Sequence, residues 1–550
     1  MGYKGFSTVE LRKPQRSTFD LSEDKRLTMQ MGYLYPVLFK ECIPSDSFDG
    51  KTEALVRLAP LLAPVYDQIQ VYIHYFFVPY RLLWDEWETF ITGGQFGNND
   101  PELDAPPVVP QINIFEMMAF DPTVFQKSNI SDYLGVPLFD DLPNPPETPD
   151  WTNCLIDVMP YVACSKIWYD YFRDRNFVDD DVFANHPLPL PSGTVLALDV
   201  PTFIAEHITL RPRCYRHDYF RSALPRPQRG AEVLIPATIN YLESSMVRDN
   251  AGNIPTGSPL DAGTGADAGF VMTDSILGYD RGRIENLDDS GILANDFRTA
   301  FALQVWLERN AIGGSRYTES IQAHFGLKPQ DGRLQRAEYI GGGMMPIKIS
   351  EQVSTAWAND GTADVPQGNL AGYGVAYGDQ NSFRYFCPEH GCIVGMMSII
   401  NPPSYHQGLP RYFKRRSFLD YPFPTFAKLG EQEVYDYEIY AASQTLGDPA
   451  LPGAEGPYSV FGYQSRYADW KSGRNTSHGD FHDTLLFWSL TSDFAIVPVL
   501  SENFTEFDPN IEDRIFAVPS VDNFWVYLHN RVFVKRALPY FGTPNTLGFQ

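Results

Sequence analysis

Cysteine is scarce in this chain. Six residues in 550 (Cys42, Cys154, Cys164, Cys214, Cys387 and Cys392) are too few for a disulfide framework. They read as reduced core residues of a protein made in a cytoplasm. Long apolar runs are missing too. The longest, near Ile69–Pro79, is interrupted by Gln70 and His74 and is too short to cross a bilayer as a helix. No apolar signal-peptide core opens the chain. Phe6 stands where a myristoylation signal needs Ser or Thr. Membrane insertion is therefore not expected. Positive charge is also short: 43 Lys and Arg against 68 Asp and Glu leave a net charge of -25. That excludes a uniformly basic nucleic-acid binder. A shell that is acidic on one surface and locally basic on the other remains open. Residues 1–26 carry six cations against four acids, whereas residues 85–150 carry thirteen acids against the single Lys127.

Enzyme signatures are absent as well. There is no His-Glu-x-x-His and no Gly-x-Ser-x-Gly, and Asp49-Gly50-Lys51-Thr52 lacks the upstream glycine of a phosphate loop. Acidic neighbours such as Asp140-Asp141 and Asp179-Asp180-Asp181 resemble glycosidase carboxylates, but 68 acids produce such pairs by chance. One metal-like cluster exists, Cys387, His390 and Cys392 within six residues. Zinc sites need a matching second half, and the His478/His482 pair is a poor one. No metal and no cofactor is expected.

What the chain has is aromatics, glycine and proline. Aromatics make up 14%, beside 42 Gly and 44 Pro. This is too aromatic for disorder and too punctuated for a helical protein, and it suits short strands joined by long shaped loops. Residues 65–79 give the clearest strand, with the two-residue period of a half-buried strand. Later strands are expected at Cys392–Ile400, Glu433–Ala441, Thr484–Leu490 and Phe524–Val534. Helices are expected at Leu82–Thr92, Pro160–Arg175, from Asn295 to Gly313, and at Tyr317–His324. The third, rich in large apolar residues, should pack on a sheet rather than read DNA. No repeat of solenoid or propeller length appears.

Basic-aromatic runs stand out against this acidic background. From Arg211 to Arg229 there are six Arg and one Asp. Bases stack on aromatic faces while Arg neutralises phosphate. Arg216, Tyr219, Phe220, Arg221 and Arg226, together with Tyr215, are therefore candidates for nucleic-acid contact. Arg411, Lys414, Arg415 and Arg416 form a second patch of four cations in six residues, and Arg531–Arg536 a third with three. Singly, each also reads as a rim or intersubunit salt-bridge patch.

The run Cys214–Gly230, with its Tyr215-Arg216-His217-Asp218-Tyr219-Phe220-Arg221 and Pro227-Gln228-Arg229-Gly230 blocks, resembles a signature of microvirus major capsid proteins. These are the shell proteins of small tailless icosahedral single-stranded-DNA phages, and the gokushovirus-like branch is the nearest likeness. Further blocks appear in the same order: Arg16–Ser22, Gly32–Pro36, Val56–Leu61, Tyr75–Trp84, Trp168–Asn176, Arg316–Glu319, Gln335–Gly343, Glu389–Gly391, Gln407–Arg411, Leu429–Gln432 and Phe461–Tyr467.

This resemblance implies a mainly β protein, a single eight-stranded jelly-roll barrel of viral capsid type with long loop insertions and a few short helices. The division it implies is an extended N-terminal arm and first scaffold segment (1–60), then jelly-roll strands with a Pro-rich acidic insertion at 96–150 (61–239). A surface protrusion follows (240–295), and the remaining strands, helices and C-terminal arm close the chain (296–550). The 240–295 block has eight Gly and nine acids against three Arg, which suits a solvent-facing loop.

The implied role is the major capsid protein of an icosahedral shell, one copy per asymmetric unit, around circular single-stranded DNA. Implied partners are a small basic DNA-binding virion protein, a DNA pilot protein, a transient scaffolding protein and a host cell-surface receptor. The implied location is the virion, assembled in the bacterial host cytoplasm. A rival of another class is a secreted β-sandwich glycoside hydrolase or carbohydrate-binding protein. Particle formation discriminates the two.

Overall fold

A computed structural model of the chain describes residues 16–92, 107–138, 154–191, 200–228, 294–313, 335–353, 370–441, 459–508, 510–518 and 521–540, with short pieces at 248–249, 277–278, 355, 358–359 and 364–365. The chain divides into two compact units, residues 1–225 with 331–550, and residues 226–330. The expected helix at Tyr317–His324, nearly all of the 240–295 insertion and much of the 96–150 segment lie outside the described residues.

The first unit is built on one antiparallel sheet. In chain order its strands are β1 (Ser17–Asp20), β2 (Glu23–Met29), β3 (Tyr35–Cys42), β4 (Ser47–Leu58) and β5 (Gln70–Pro79), then β6 (Glu338–Pro346), β7 (Lys348–Val353), β8 (Leu370–Phe386), β9 (Gly391–Ile400) and β10 (Phe524–Arg536). Across the sheet the order is β1-β10-β4-β8-β6-β5-β9-β3, with β2 also on β10 and β7 also on β8. Strands β1 and β2 pair with successive halves of β10, so they share one lane. Ten strands thus fill eight lanes, all antiparallel; β5 pairs with β6 and β7 with β8, and the other neighbours are not consecutive in the chain. The first sixty residues, extended in the sequence reading, supply four of these strands.

Alternation explains β4 and β10. In β4, Phe48, Gly50, Thr52, Ala54, Val56 and Leu58 point inward, and Asp49, Lys51, Glu53, Leu55 and Arg57 point outward. In β10, Phe524, Val526, Leu528, Val532 and Val534 are buried between outward Trp525, Tyr527, Arg531 and Lys535. Strand β5 departs from the half-buried expectation: nine of its ten residues are buried. Its two faces meet different cores. Val71, Ile73, Tyr75 and Phe77 join a cluster with Phe48, Val56 and Phe524. Phe76 and Val78 join a second cluster with Trp84, Met159, Trp168 and Phe203. A strand covered on both faces loses its apolar-polar alternation.

The second cluster is supplied by loops and short helices. The expected Leu82–Thr92 helix is a 3-10 turn at Tyr80–Leu82 followed by α1 (Trp87–Thr92). Leu83 lies before α1 and is fully buried, whereas Ile91 within it is 46% exposed. The Pro160–Arg175 helix forms as α2 (Met159–Ile167) and ends in a π-helical turn at Trp168–Phe172. In the second unit, α3 (Ala294–Gly313) forms where the Asn295 start was expected. Its Leu303 and Val305 are 46% and 44% exposed.

Two strand expectations change. Glu431–Tyr435 is a strand, but it turns into a 3-10 turn at Asp436–Glu438 because the Glu438 carboxylate accepts from Tyr435 N at 3.2 Å. Thr484–Leu490 is not a strand. It contains a 3-10 turn at Leu486–Trp488, anchored by Leu485 N donating to Asp480 O at 2.8 Å.

Candidate nucleic-acid interface

The Cys214–Gly230 run owes its shape to Asp218. Its carboxylate accepts from Phe220 N at 3.2 Å and Arg221 N at 2.7 Å. This Asx turn aims the next side chains inward. Tyr215, Tyr219, Phe220 and Arg221 are all buried. Phe220 sits in a third hydrophobic cluster with Tyr405, Val434, Phe461 and Phe504, edge-on to Tyr405 at 5.0 Å. Arg221 Nε donates to Tyr405 Oη at 3.2 Å and Nη1 donates to the Phe504 carbonyl, while the guanidinium lies 3.7 Å over the Tyr215 ring. These four side chains hold loops together. Their burial leaves no ring face for a base, so the expectation that they line an open surface is corrected. Arg216 and Arg226 remain exposed. Arg216 Nη1 donates to Gln70 Oε1 at 3.4 Å and lines a polar cleft of about 960 Å³.

The second patch is also part scaffold. Arg411 Nη1 donates to Glu433 O at 2.7 Å and lies 3.5 Å from Glu438 Oε1. The same Glu438 accepts from Tyr219 Oη at 3.0 Å. The two basic-aromatic runs therefore meet at one buried carboxylate. Burial pushes that carboxyl up, against the opposing pull of Arg411. Arg415 pairs with Asp469 at 2.5 Å and lies 4.2 Å over Trp470. Lys414 Nζ is 5.7 Å from the Tyr437 ring centre. Arg416 is exposed. In the third patch, Arg536 pairs with the fully buried Asp46 at 2.8 Å.

The metal-like cluster serves the fold. Cys387 and Cys392 are buried, Glu389 pairs with Arg81 at 2.8 Å, and His390 packs edge-on against Trp87 at 5.7 Å. Among the described residues no group of three or more His, Cys, Asp or Glu is placed to hold a metal ion. All six cysteines are free thiols. Burial, with Cys387 alongside, pushes the Cys42 thiol up.

Sequence reasoning missed the cleft beside Arg216. Tyr66 is 62% exposed and stacks on Trp488 at 5.6 Å with an interplanar angle of 8°. Phe481 and Arg474 complete the wall. Asp67 also lines it, and burial pushes that carboxyl up to about 6. These residues come from remote segments, and no local motif links them.

A broad antiparallel sheet with long ordered loops, several of its cations committed to internal contacts, is a mainly β scaffold. Its organisation is that of a mainly β viral coat subunit. The chain belongs to the capsid protein (F protein) family, whose pattern matches residues 7–546. It is 31% identical to "Capsid protein VP1" of Chlamydia phage 1, over 98% of this chain and 97% of that one. It is 30% identical to "Capsid protein VP1" of Bdellovibrio phage phiMH2K, over 99% and 98%. Identity to the same-named protein of Spiroplasma virus 4 is 26%, over 98% and 97%. The resemblance to gokushovirus-like capsid proteins holds from end to end. The protein is a virion structural component that assembles into an oligomeric shell. Its relatives are coat proteins rather than enzymes, and the hydrolase alternative has no support.

Proposed function

We propose that this chain is the shell-forming subunit of an icosahedral particle that encloses circular single-stranded DNA, with one copy per asymmetric unit. The end-to-end likeness to phage capsid proteins carries this reading. Closed shells need heterologous contacts between identical copies, and the chain offers exposed apolar surface for them. Between Arg411 and Gly430, Tyr412, Phe413, Phe418, Tyr421 and Leu429 are each more than half exposed.

In this reading Arg216, Arg226 and Arg416, which stay exposed, contribute to genome contact. A net charge of -25 per subunit opposes DNA enclosure unless charge is segregated and helped. A small basic DNA-binding virion protein supplies that help, beside a DNA pilot protein and a transient scaffolding protein, with assembly in the bacterial cytoplasm. The acidic, glycine-rich 240–295 insertion serves host attachment through a cell-surface receptor.

Electron microscopy of material co-expressed with its assembly partners, before and after nuclease treatment, tests the reading. Isometric particles with nuclease-protected DNA are expected. A species that stays monomeric and free of nucleic acid under virion-like conditions overturns it.

A further inference from the structure

Two segments of the first unit keep apolar side chains in water, and their charges are opposite. From Arg411 to Glu433 there are five cations and three acids, and from Asp493 to Arg514 six acids and one cation. Among the described residues the three most exposed large apolar side chains are Ile496 (79%), Val499 (73%) and Phe418 (71%). The basic segment holds Phe418, and the acidic one holds the other two.

The basic segment is a shaped projection. Three 3-10 turns follow one another at Arg411–Phe413, Phe418–Asp420 and Pro424–Phe426. The Asp420 carboxylate accepts from Arg416 N at 2.7 Å and Ser417 N at 2.6 Å, which fixes the turn that carries Phe418. Tyr412, Phe413, Phe418, Tyr421 and Phe423 are 42–71% exposed. An aromatic side chain buries about 150–250 Å² when it packs, so these five leave on the order of 500 Å² of ring surface in water. Single chains rarely leave contiguous apolar surface above a few hundred Å² uncovered. One side of a stable protein interface takes about 800 Å².

Val499 lines a cavity of about 580 Å³. Tyr33, Phe494, Phe504 and Phe507 add apolar wall, and Asp493, Glu506 and Asp508 add negative charge. Among the described residues Arg221 is the one cation lining it, and its guanidinium is committed to Tyr405 and Phe504. On the projection, Arg411 and Arg415 are matched by Glu438 and Asp469.

We propose that in the shell the Phe418 turn of one copy inserts into the Val499 cavity of the next, a head-to-tail contact between different faces of identical chains. The proposal rests on the shell-forming reading above and names the surfaces that the shell uses. Contacts between different faces generate closed rings of copies. Aromatic anchors seated in pockets carry much of the binding energy of protein interfaces, and a turn held before contact costs little ordering. A nucleic acid is the less suitable occupant of the projection. Leu419 and Leu429, 50% and 61% exposed, are aliphatic and offer no ring to a base.

Paired cysteines test the contact in material co-expressed with its assembly partners. Phe418→Cys combined with Val499→Cys should, on mild oxidation, link copies into dimers and longer ladders on a denaturing gel without reductant. Each single variant should run as the unaltered chain does. Phe418→Ser and Val499→Ser should each lower particle yield at least roughly tenfold, with the denaturant midpoint of the purified chain unchanged. The cysteine pair needs no loss of assembly, so it keeps the test decidable if a serine variant fails to fold. Particles of the double variant that show no link overturn the contact and leave the shell reading standing. Links in a single variant mean that like faces meet, and overturn it too. So does a particle reconstruction with nucleic acid or another polypeptide over Phe418. An unaltered chain that never forms particles removes the shell reading and this contact together.

Discussion

The Cys214–Gly230 run and the outer face of β2, β4 and β10 contain the same ingredients, arginine beside tyrosine, phenylalanine or tryptophan. Their fates are opposite. In the run, an Asx turn at Asp218 drives Tyr219, Phe220 and Arg221 into the interior, where Arg221 is 5% exposed. On the sheet, pleating sends every second residue outward and leaves Trp525 49% exposed. Composition identifies a residue's chemistry, and backbone geometry decides whether a ligand can reach it. Arginine inside a core is a many-armed hydrogen-bond donor that fastens loops. On a pleated face it stays open to solvent.

The comparison breaks first at Phe220. Phe220→Ala should cost about 3–5 kcal/mol of stability, read by denaturant unfolding of the purified protein. The equivalent truncation on the sheet, Trp525→Ala, should cost less than about 1 kcal/mol. Equal losses at the two sites would erase the distinction.

Arg221→Ala should follow, at about 2–4 kcal/mol, because it removes the buried donor to the Tyr405 hydroxyl and the Phe504 carbonyl. Loss of packaged DNA without loss of stability would return Arg221 to the genome surface.

An intermediate effect is set by pH. Burial pushes the Glu512 carboxyl up to about 7 from an ordinary 4.5, while it accepts from Met31 N at 2.7 Å. Burial also pushes Glu506 up to about 7, helped by neighbouring Glu502. Between pH 4.5 and 7 the folded chain holds protons that the unfolded chain has lost. Stability from these groups is therefore greatest below about pH 4.5 and falls as pH rises through 7. Glu512→Gln should flatten this slope by on the order of 1–3 kcal/mol, read from unfolding midpoints at pH 5 and pH 8. An unchanged slope would place the titration elsewhere.

Arg216 gives the smallest effect and the sharpest contrast. It lies five positions before Arg221 yet is exposed with one 3.4 Å contact to Gln70. Arg216→Ala should change stability by no more than about 0.5 kcal/mol. In the packaging reading it should still reduce DNA content, measured by absorbance ratio of purified particles.

Much of the fold was legible residue by residue. Strands β9 and β10 were read at Cys392–Ile400 and Phe524–Val534, separated by long connections that contain Gly and Pro. Helix α3 announced its start with Asn295. The half-buried reading of β5 failed because its second face is covered by α2 and the loop helices, which are distant in the chain. Thr484–Leu490 was also read as a strand, but among the described residues no partner strand lies alongside. At the candidate interface the residue types were legible and their exposure was not. Burial of Tyr219 and Phe220 depends on Tyr405, Phe461 and Phe504, 185 residues and more away.

The sequence by itself determined the mainly β class, the reduced cysteines, the acidic balance and the capsid family. These follow from composition, local periodicity and ordered blocks, which need no knowledge of distant neighbours. Tertiary structure alone decided which arginines are fasteners and which face solvent, and it alone set Arg26, Tyr527, Trp525 and Arg57 side by side. Those four residues come from strands at opposite ends of the chain. Their meeting is fixed by backbone hydrogen bonding of β2 and β4 to β10, a register that no local pattern encodes.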